Sequence, residues 1–273
     1  MIVMVEQGRL GNQIFQYLAL RSVARPGERI QLMGFDQLRA TFDGLDARFT
    51  AIDTSMLRHL RSINYARIRR ASSFVPGLDL VEETVDGQPV APSARMRICV
   101  PAWFQSPTVL STSALAAMQV KPALVQAARS VVSQHADYAF IHVRAGDYRT
   151  WPSAEAPAIL SPAWYRTQLG ELRLEGPLHA FVVGDEPEYV DEVADALTDA
   201  TVVRADELTE FALLTQCSAG VLSASTFAYW GAYFAHRQKG GHFIAPQYWA
   251  GHASHAWYPP GIASPFLDYR SVT

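Results

Sequence analysis

Tyr138-Ala139-Phe140-Ile141-His142-Val143-Arg144-Ala145-Gly146-Asp147-Tyr148 is the stretch whose reading decides the architecture. A nearly continuous apolar run of six residues ends in a polar, glycine-containing turn. That is the form of a strand buried on both faces of a parallel sheet. The pattern repeats downstream. A helix is expected over 164–172 and a strand over 179–183, closed by Gly184-Asp185-Glu186-Pro187. Helix 189–197, strand 200–203, helix 208–216, strand 219–222, helix 228–237 and a last strand over 243–245 follow, and a helix over 124–132 precedes the run. Such alternation predicts a parallel sheet with helices on both faces.

The first half opens the same way. Ile2-Val3-Met4-Val5 reads as a buried strand running into a glycine-rich turn over 6–13, then a helix over 14–23 that ends before Pro26. Residues 28–56 read as short strands and loops. Residues 57–70 hold five arginines on a rough helical stripe, 71–94 read mostly as loop, and 97–100 as a strand. The arginine-rich stretch reads first as a solvated helix face, with an anionic acceptor or a membrane surface as the sharper alternative.

The 273 residues, 49% hydrophobic and 18% charged, exclude a disordered or fibrous chain. A net charge of −3 gives no bulk basic footprint for nucleic acid, and no nucleic-acid partner is expected. The basic side chains are 21 arginines and two lysines, Lys121 and Lys239. Thirteen of the arginines precede residue 121, so the first half is basic and the second acidic. Cys99 and Cys217, in apolar strings and without zinc spacing, read as buried free thiols. No apolar run reaches membrane-spanning length, and the short apolar start is interrupted by Glu6, so a cytoplasmic location is expected.

Ligands of open parallel sheets bind at the carboxyl ends of strands. Four such ends carry polar or glycine-rich turns: 7–13, 144–148, 184–187 and 223–227. Gly8, Arg9, Gly11 and Asn12 stand at a helix start, where free N–H groups and the helix dipole attract anions. Arg144 can hold a diphosphate with its planar fork of donors, with Asp147 placed to orient it, and alternation aims His142 the same way. A satisfied core histidine and a structural ion pair are the plainer readings of these residues. Ser225, Thr226 and Phe227 precede a helix and form a second anion pocket, or simply cap it. No Asp-x-Asp pair occurs and the histidines fit no metal spacing, so no metal or other cofactor is expected.

Taken together, these segments resemble the α-1,2-fucosyltransferases of glycosyltransferase family 11, within the wider group sharing an HxRRxD-type motif. Gly8-Arg9-Leu10-Gly11-Asn12-Gln13-Ile14-Phe15-Gln16-Tyr17 is similar to the family's G-x-LGNQMFQYA, and Trp103-Phe104-Gln105-Ser106 to its Y-[FW]-QS. Residues 141–148 resemble HIRRGDY, 181–185 FxFSDD, 210–217 DLxLMSxC, 225–233 SSFSWWGAY and 244–249 IAPxxW. Seven matches in order are specific, whereas 28–95 match poorly. Ala145 stands at the motif's second arginine, Gly184 at its serine and Glu210 at its aspartate; Arg9 or Arg149 would replace the missing charge.

The resemblance implies an α/β, GT-B-like chain: two Rossmann-like domains facing a cleft, residues 1–125 on the acceptor side and 126–273 binding the GDP-sugar. It implies a metal-independent, inverting transfer of L-fucose from GDP-L-fucose to a glycan hydroxyl, with α-1,2 linkage, in surface polysaccharide or oligosaccharide synthesis. Arg144, Asn12 and Asp147 become the catalytic candidates. His142, Arg9, Gly11, Asp185, Glu210, Ser225, Thr226 and Phe227 become the donor-binding ones. Glu6, Asp147 and Asp185 are the candidates for general base. The partners are then GDP-L-fucose and a glycan acceptor, with weak association at the inner membrane face. Transfer of another GDP-sugar (GDP-colitose or GDP-L-galactose), or GDP binding without catalysis, are the alternatives.

Overall fold

A computed structural model of the chain describes residues 1–53, 56, 65–72, 74–132 and 135–272, and divides it into two compact units, Met1–Lys121 and Pro122–Thr273. In the first unit, β1 (Ile2–Val5), β2 (Ile30–Met33), β4 (Arg48–Thr50), β5 (Leu78–Glu83), β6 (Pro89–Val90) and β7 (Met96–Cys99) form one sheet in the order β4-β2-β1-β7-β5-β6. All neighbours are parallel except β5 and β6. A separate antiparallel pair joins β3 (Phe42–Asp43) to β8 (Gln119–Val120). The helices are α1 (Leu10–Val23), α2 (Asp36–Thr41), α3 (Tyr65–Ser72) and α4 (Thr112–Ala117).

This unit corrects the sequence reading in three places. α1 starts at Leu10, not at residue 14, so Gly11, Asn12 and Gln13 lie in its first turn. The side chain of Gln37 accepts the Leu10 N–H at 2.8 Å, satisfying from outside a donor that a helix start leaves open. Residues 71–94 are not mostly loop: β5 carries buried Leu80 and Val81, a signal hidden by the two glutamates that end it. Helices α2 and α4 were not anticipated; each is a short six-residue segment. The helix expected over 57–70 falls partly outside the described residues, and α3 covers its described end.

In the second unit α5 (Pro122–Val131) leads into β9 (Tyr138–Val143), a hairpin of β10 (Pro152–Ser153) and β11 (Ala156–Pro157), and α6 (Pro162–Leu172). Then come β12 (His179–Gly184), α7 (Pro187–Asp195), β13 (Ala200–Val202), α8 (Glu207–Leu214), β14 (Ala219–Leu222), α9 (Thr226–Lys239), β15 (His242–Pro246) and β16 (Asp268–Arg270). The sheet order is β13-β12-β9-β14-β15-β16, with every neighbour parallel. Counting these six strands in chain order gives 3-2-1-4-5-6, the order of a Rossmann sheet. β15 is therefore not the last strand; β16 extends the sheet beyond it.

All six residues of β9 are buried. Ala139, Ile141 and Val143 join the core cluster that holds Trp164, Tyr165 and Leu169 of α6 and Val190 and Val193 of α7. The alternate set faces the other layer, where the His142 ring lies 5.7 Å from that of Phe227 on α9. Helices thus cover both faces, as the unbroken apolar pattern requires. The last register pair of β12 with β9 is Gly184 with Val143. A Cβ at Gly184 would stand 2.4 Å from the Val143 carbonyl oxygen and 2.7 Å from Val190 Cγ2. The serine that the resemblance places there has no room. Gly184→Ser is expected to destabilise the protein by about 1–3 kcal/mol through overpacking. Thermal unfolding reads this as a lowered Tm, and an unchanged Tm would contradict the packing argument.

Candidate active site

In a Rossmann order the connections diverge between strands one and four, and ligands bind outside their carboxyl ends. Here those strands are β9 and β14, and the turns that leave them are 144–148 and 223–227. Hydrogen bonds tie the second turn to β9 and to the first turn. Ser223 N–H donates to the His142 carbonyl at 3.1 Å, and the Ser223 hydroxyl pairs with His142 Nδ1 at 2.7 Å. The Tyr148 hydroxyl donates to the Ala224 carbonyl at 2.7 Å.

Arg144 lies at the centre of the first turn. Its guanidinium donates to Asp147 Oδ1 at 2.6 Å, pairs with Asp185 Oδ2 at 2.9 Å, and lies 5.3 Å from the centre of the Tyr148 ring. The two carboxylates differ in freedom. Asp185 is 21% exposed, and its second oxygen accepts the Ala145 N–H at 2.9 Å. Asp147 is 59% exposed. Asp185 therefore fixes the arginine, while Asp147 is its looser partner. The strand ends at Val143, so alternation does not aim Arg144 beside His142 as expected. His142 is buried and spends Nδ1 on Ser223.

Ala145 is fully buried in the core cluster with Leu160, Trp164 and Tyr165. An arginine side chain on this backbone would enter the core, so residue 145 does not mark a missing phosphate ligand. Arg149, named above as a replacement, is instead held by Glu186 at 2.6 Å and lies over the Tyr189 ring.

The second turn leads into α9, whose first residue is Thr226. Ser225 occupies the N-cap position, but its hydroxyl makes no capping hydrogen bond. Ser225, Thr226 and Phe227 are half-buried at this helix start. A fourteen-residue helix without a side-chain cap presents N–H groups and a positive dipole end to an anion. Glu210 stands apart from this pair of turns, in the first half of α8. Burial pushes its carboxyl up to about 7, against the Ala205 N–H that it accepts at 3.2 Å.

At the corresponding end of the first unit, Asn12 Oδ1 accepts from Gln105 Nε2 at 2.8 Å. Gly8, with φ +81°, lies beneath it; a Cβ there would stand 2.5 Å from Asn12 Nδ2. Gln13 bonds buried Glu6 and the Leu38 N–H, and Gln16 bonds the carbonyls of Gln7 and Ala102. Much of the motif over 8–17 is thus wiring that holds the turn. Arg9 is exposed and Gly11 buried. Sequence reasoning missed Glu83, whose carboxylate accepts the N–H groups of Trp103 and Phe104, because its strand was read as loop. It also missed Tyr148 as the link between the turns, although the quoted motif contained it.

Among the described residues, no group of three or more His, Cys, Asp or Glu side chains is arranged to hold a metal ion, and no helix is long and apolar enough to cross a membrane. Both cysteines are buried and free.

Residues 116–256 match the model of glycosyl transferase family 11. No curated protein sequence matches the chain. Among solved structures, the chain is similar to the α-1,6-fucosyltransferase NodZ, known from Bradyrhizobium, co-crystallized with GDP. The identity is 12% and the TM-score 0.52, covering 85% of this chain and 91% of that one. It is also similar to POFUT1 in complex with GDP, at 12% identity and a TM-score of 0.55, covering 89% and 97%. At such identities the likeness concerns the fold, which is α/β and GT-B-like, with the Rossmann strand order in the second unit.

The Glu210 carboxyl generates a prediction with a definite sign. Between the ordinary glutamate range and about pH 7 the folded chain holds a proton there that the unfolded chain has lost. Its contribution to stability is therefore full below about pH 4.3 and disappears as pH rises through 7. Glu210→Gln is expected to show a smaller fall in Tm across this window than the wild type. Equal slopes would contradict the assignment.

Proposed function

Because the chain belongs to glycosyl transferase family 11, we propose that it moves L-fucose from GDP-L-fucose to a glycan hydroxyl, with inversion at the anomeric carbon and an α-1,2 linkage. The observation that carries this reading is that Arg144 and the start of α9 follow adjacent parallel strands, β9 and β14, at the Rossmann switch point. Solved structures of similar fold with GDP and GDP-fucose, NodZ and POFUT1, support the choice of donor.

In the proposed reaction the acceptor oxygen attacks the sugar C1 while the bond from C1 to the diphosphate oxygen breaks. GDP leaves with its charge held by Arg144 and by the positive dipole end at the start of α9. These donors act on the charge that develops on the leaving oxygen, where fixed dipoles stabilise a transition state most. The reading needs no metal ion, and turnover is expected to persist in EDTA.

The acceptor hydroxyl must lose a proton. Of the three carboxylates considered, Glu6 is buried and bonded to Gln13, and Asp185 is committed to Arg144 and the Ala145 N–H. Asp147 is exposed and bound only through the arginine that the diphosphate would engage. We assign it as the general base. His142 then serves by fixing Ser223 ahead of the donor pocket.

Two substitutions test the assignment. Arg144→Ala should weaken GDP binding about ten- to a hundredfold, the loss of one charged hydrogen-bonding group, as read by calorimetry. Asp147→Asn should lower kcat about a hundredfold or more, with GDP bound at least as tightly, since a competitor for Arg144 loses its charge. Unchanged GDP affinity in the first variant or unchanged kcat in the second would contradict the corresponding role.

A further inference from the structure

The turn that carries Arg144 and Asp147 continues into an aromatic series whose outer members, Trp151 and Tyr258, have no part in the chemistry described so far. The Tyr148 ring, beneath Arg144, lies 4.9 Å from Trp151 at an interplanar angle of 32°. Trp151 lies 5.4 Å from Tyr258 at 63°. The backbone pins both outer rings. Trp151 N–H donates to the Asp147 carbonyl at 2.9 Å, and the Trp151 carbonyl accepts from Ala158 at 2.8 Å. Tyr258 N–H donates to Tyr248 at 3.3 Å, and its carbonyl accepts from Ala250 at 3.2 Å. Yet Trp151 is only half-buried and Tyr258 is 43% exposed. Two large aromatic rings are held firmly and left partly open to water.

We propose that Trp151 and Tyr258 form a wall on which a pyranose ring of the acceptor glycan stacks. The inference rests on the glycosyl-transfer reading and names where that acceptor lies in the second unit. A pyranose carries a face of weakly positive C–H groups, which the negative face of an aromatic ring attracts, and burying that face removes apolar surface from water. Its hydroxyl edge needs polar partners, and the turn that carries Trp151 also carries the exposed carboxylate of Asp147. The backbone hydrogen bond from Trp151 N–H to the Asp147 carbonyl keeps Trp151 on the same short turn as the proposed base. A nucleobase fits less well, because the successive ring angles of 32° and 63° provide no parallel faces to enclose a flat ring.

The test uses the intact protein and methyl glycosides of galactose, glucose, N-acetylglucosamine and rhamnose, read by saturation-transfer NMR, with GDP binding followed separately by calorimetry. Wild-type protein is expected to transfer saturation to the ring protons of at least one glycoside. Tyr258→Ala should weaken that binding about tenfold with GDP affinity unchanged. Trp151→Phe, which keeps a ring face, should retain it. Saturation transfer to none of the glycosides, or equal binding by Tyr258→Ala, overturns the wall even if GDP binds normally. Failure of wild-type protein to bind GDP would instead overturn the glycosyl-transfer reading.

Discussion

The contact between Asp185 and the turn after β9 is the constraint on which the site depends. One carboxylate oxygen pairs with the Arg144 guanidinium and the other accepts the Ala145 N–H. The contact follows from strand register. β12 and β9 run parallel and in step to their last pair, Gly184 with Val143. The next residue on each chain is Asp185 and Arg144, so the sheet itself delivers acid and base side by side. Gly184 permits it, because any larger residue would push against the Val143 carbonyl at the point where the strands must stay close. Fixed in this way, Arg144 pays little reorganisation on meeting an anion, and only its looser partner, Asp147, has to yield.

The alternation of the second unit was legible because strands buried on both faces have an unmistakable composition. Residues 138–143, 179–184 and 219–222 are short apolar runs closed by turns, and the helices between them fall close to where apolar spacing puts them. From such runs the parallel sheet follows, and from the strand order the switch point. The resemblance of the turn 144–148 to a family motif pointed to the family, and the family match over 116–256 agrees with that.

What stayed illegible depended on long-range contacts. Nothing near residue 10 announces that Gln37 will satisfy its N–H and let α1 begin there. The glutamates that end β5 looked like loop composition, yet Glu83 holds the N–H groups of Trp103 and Phe104. Residue 145 is the most instructive case. The resemblance to the HxRR motif made it a missing charge in the phosphate site. The backbone turns after Val143, and Ala145 lies in the core. The aromatic residues 151 and 258 are distant in sequence and gave no signal until folding brought their rings to 5.4 Å.

The most direct measurement is a crystal structure of the protein grown with GDP. The β-phosphate should accept hydrogen bonds from Arg144 and from N–H groups at the start of α9, with Asp185 still bound to the arginine and Asp147 released from it. A diphosphate bound elsewhere, or bound at this position without Arg144, would contradict the account.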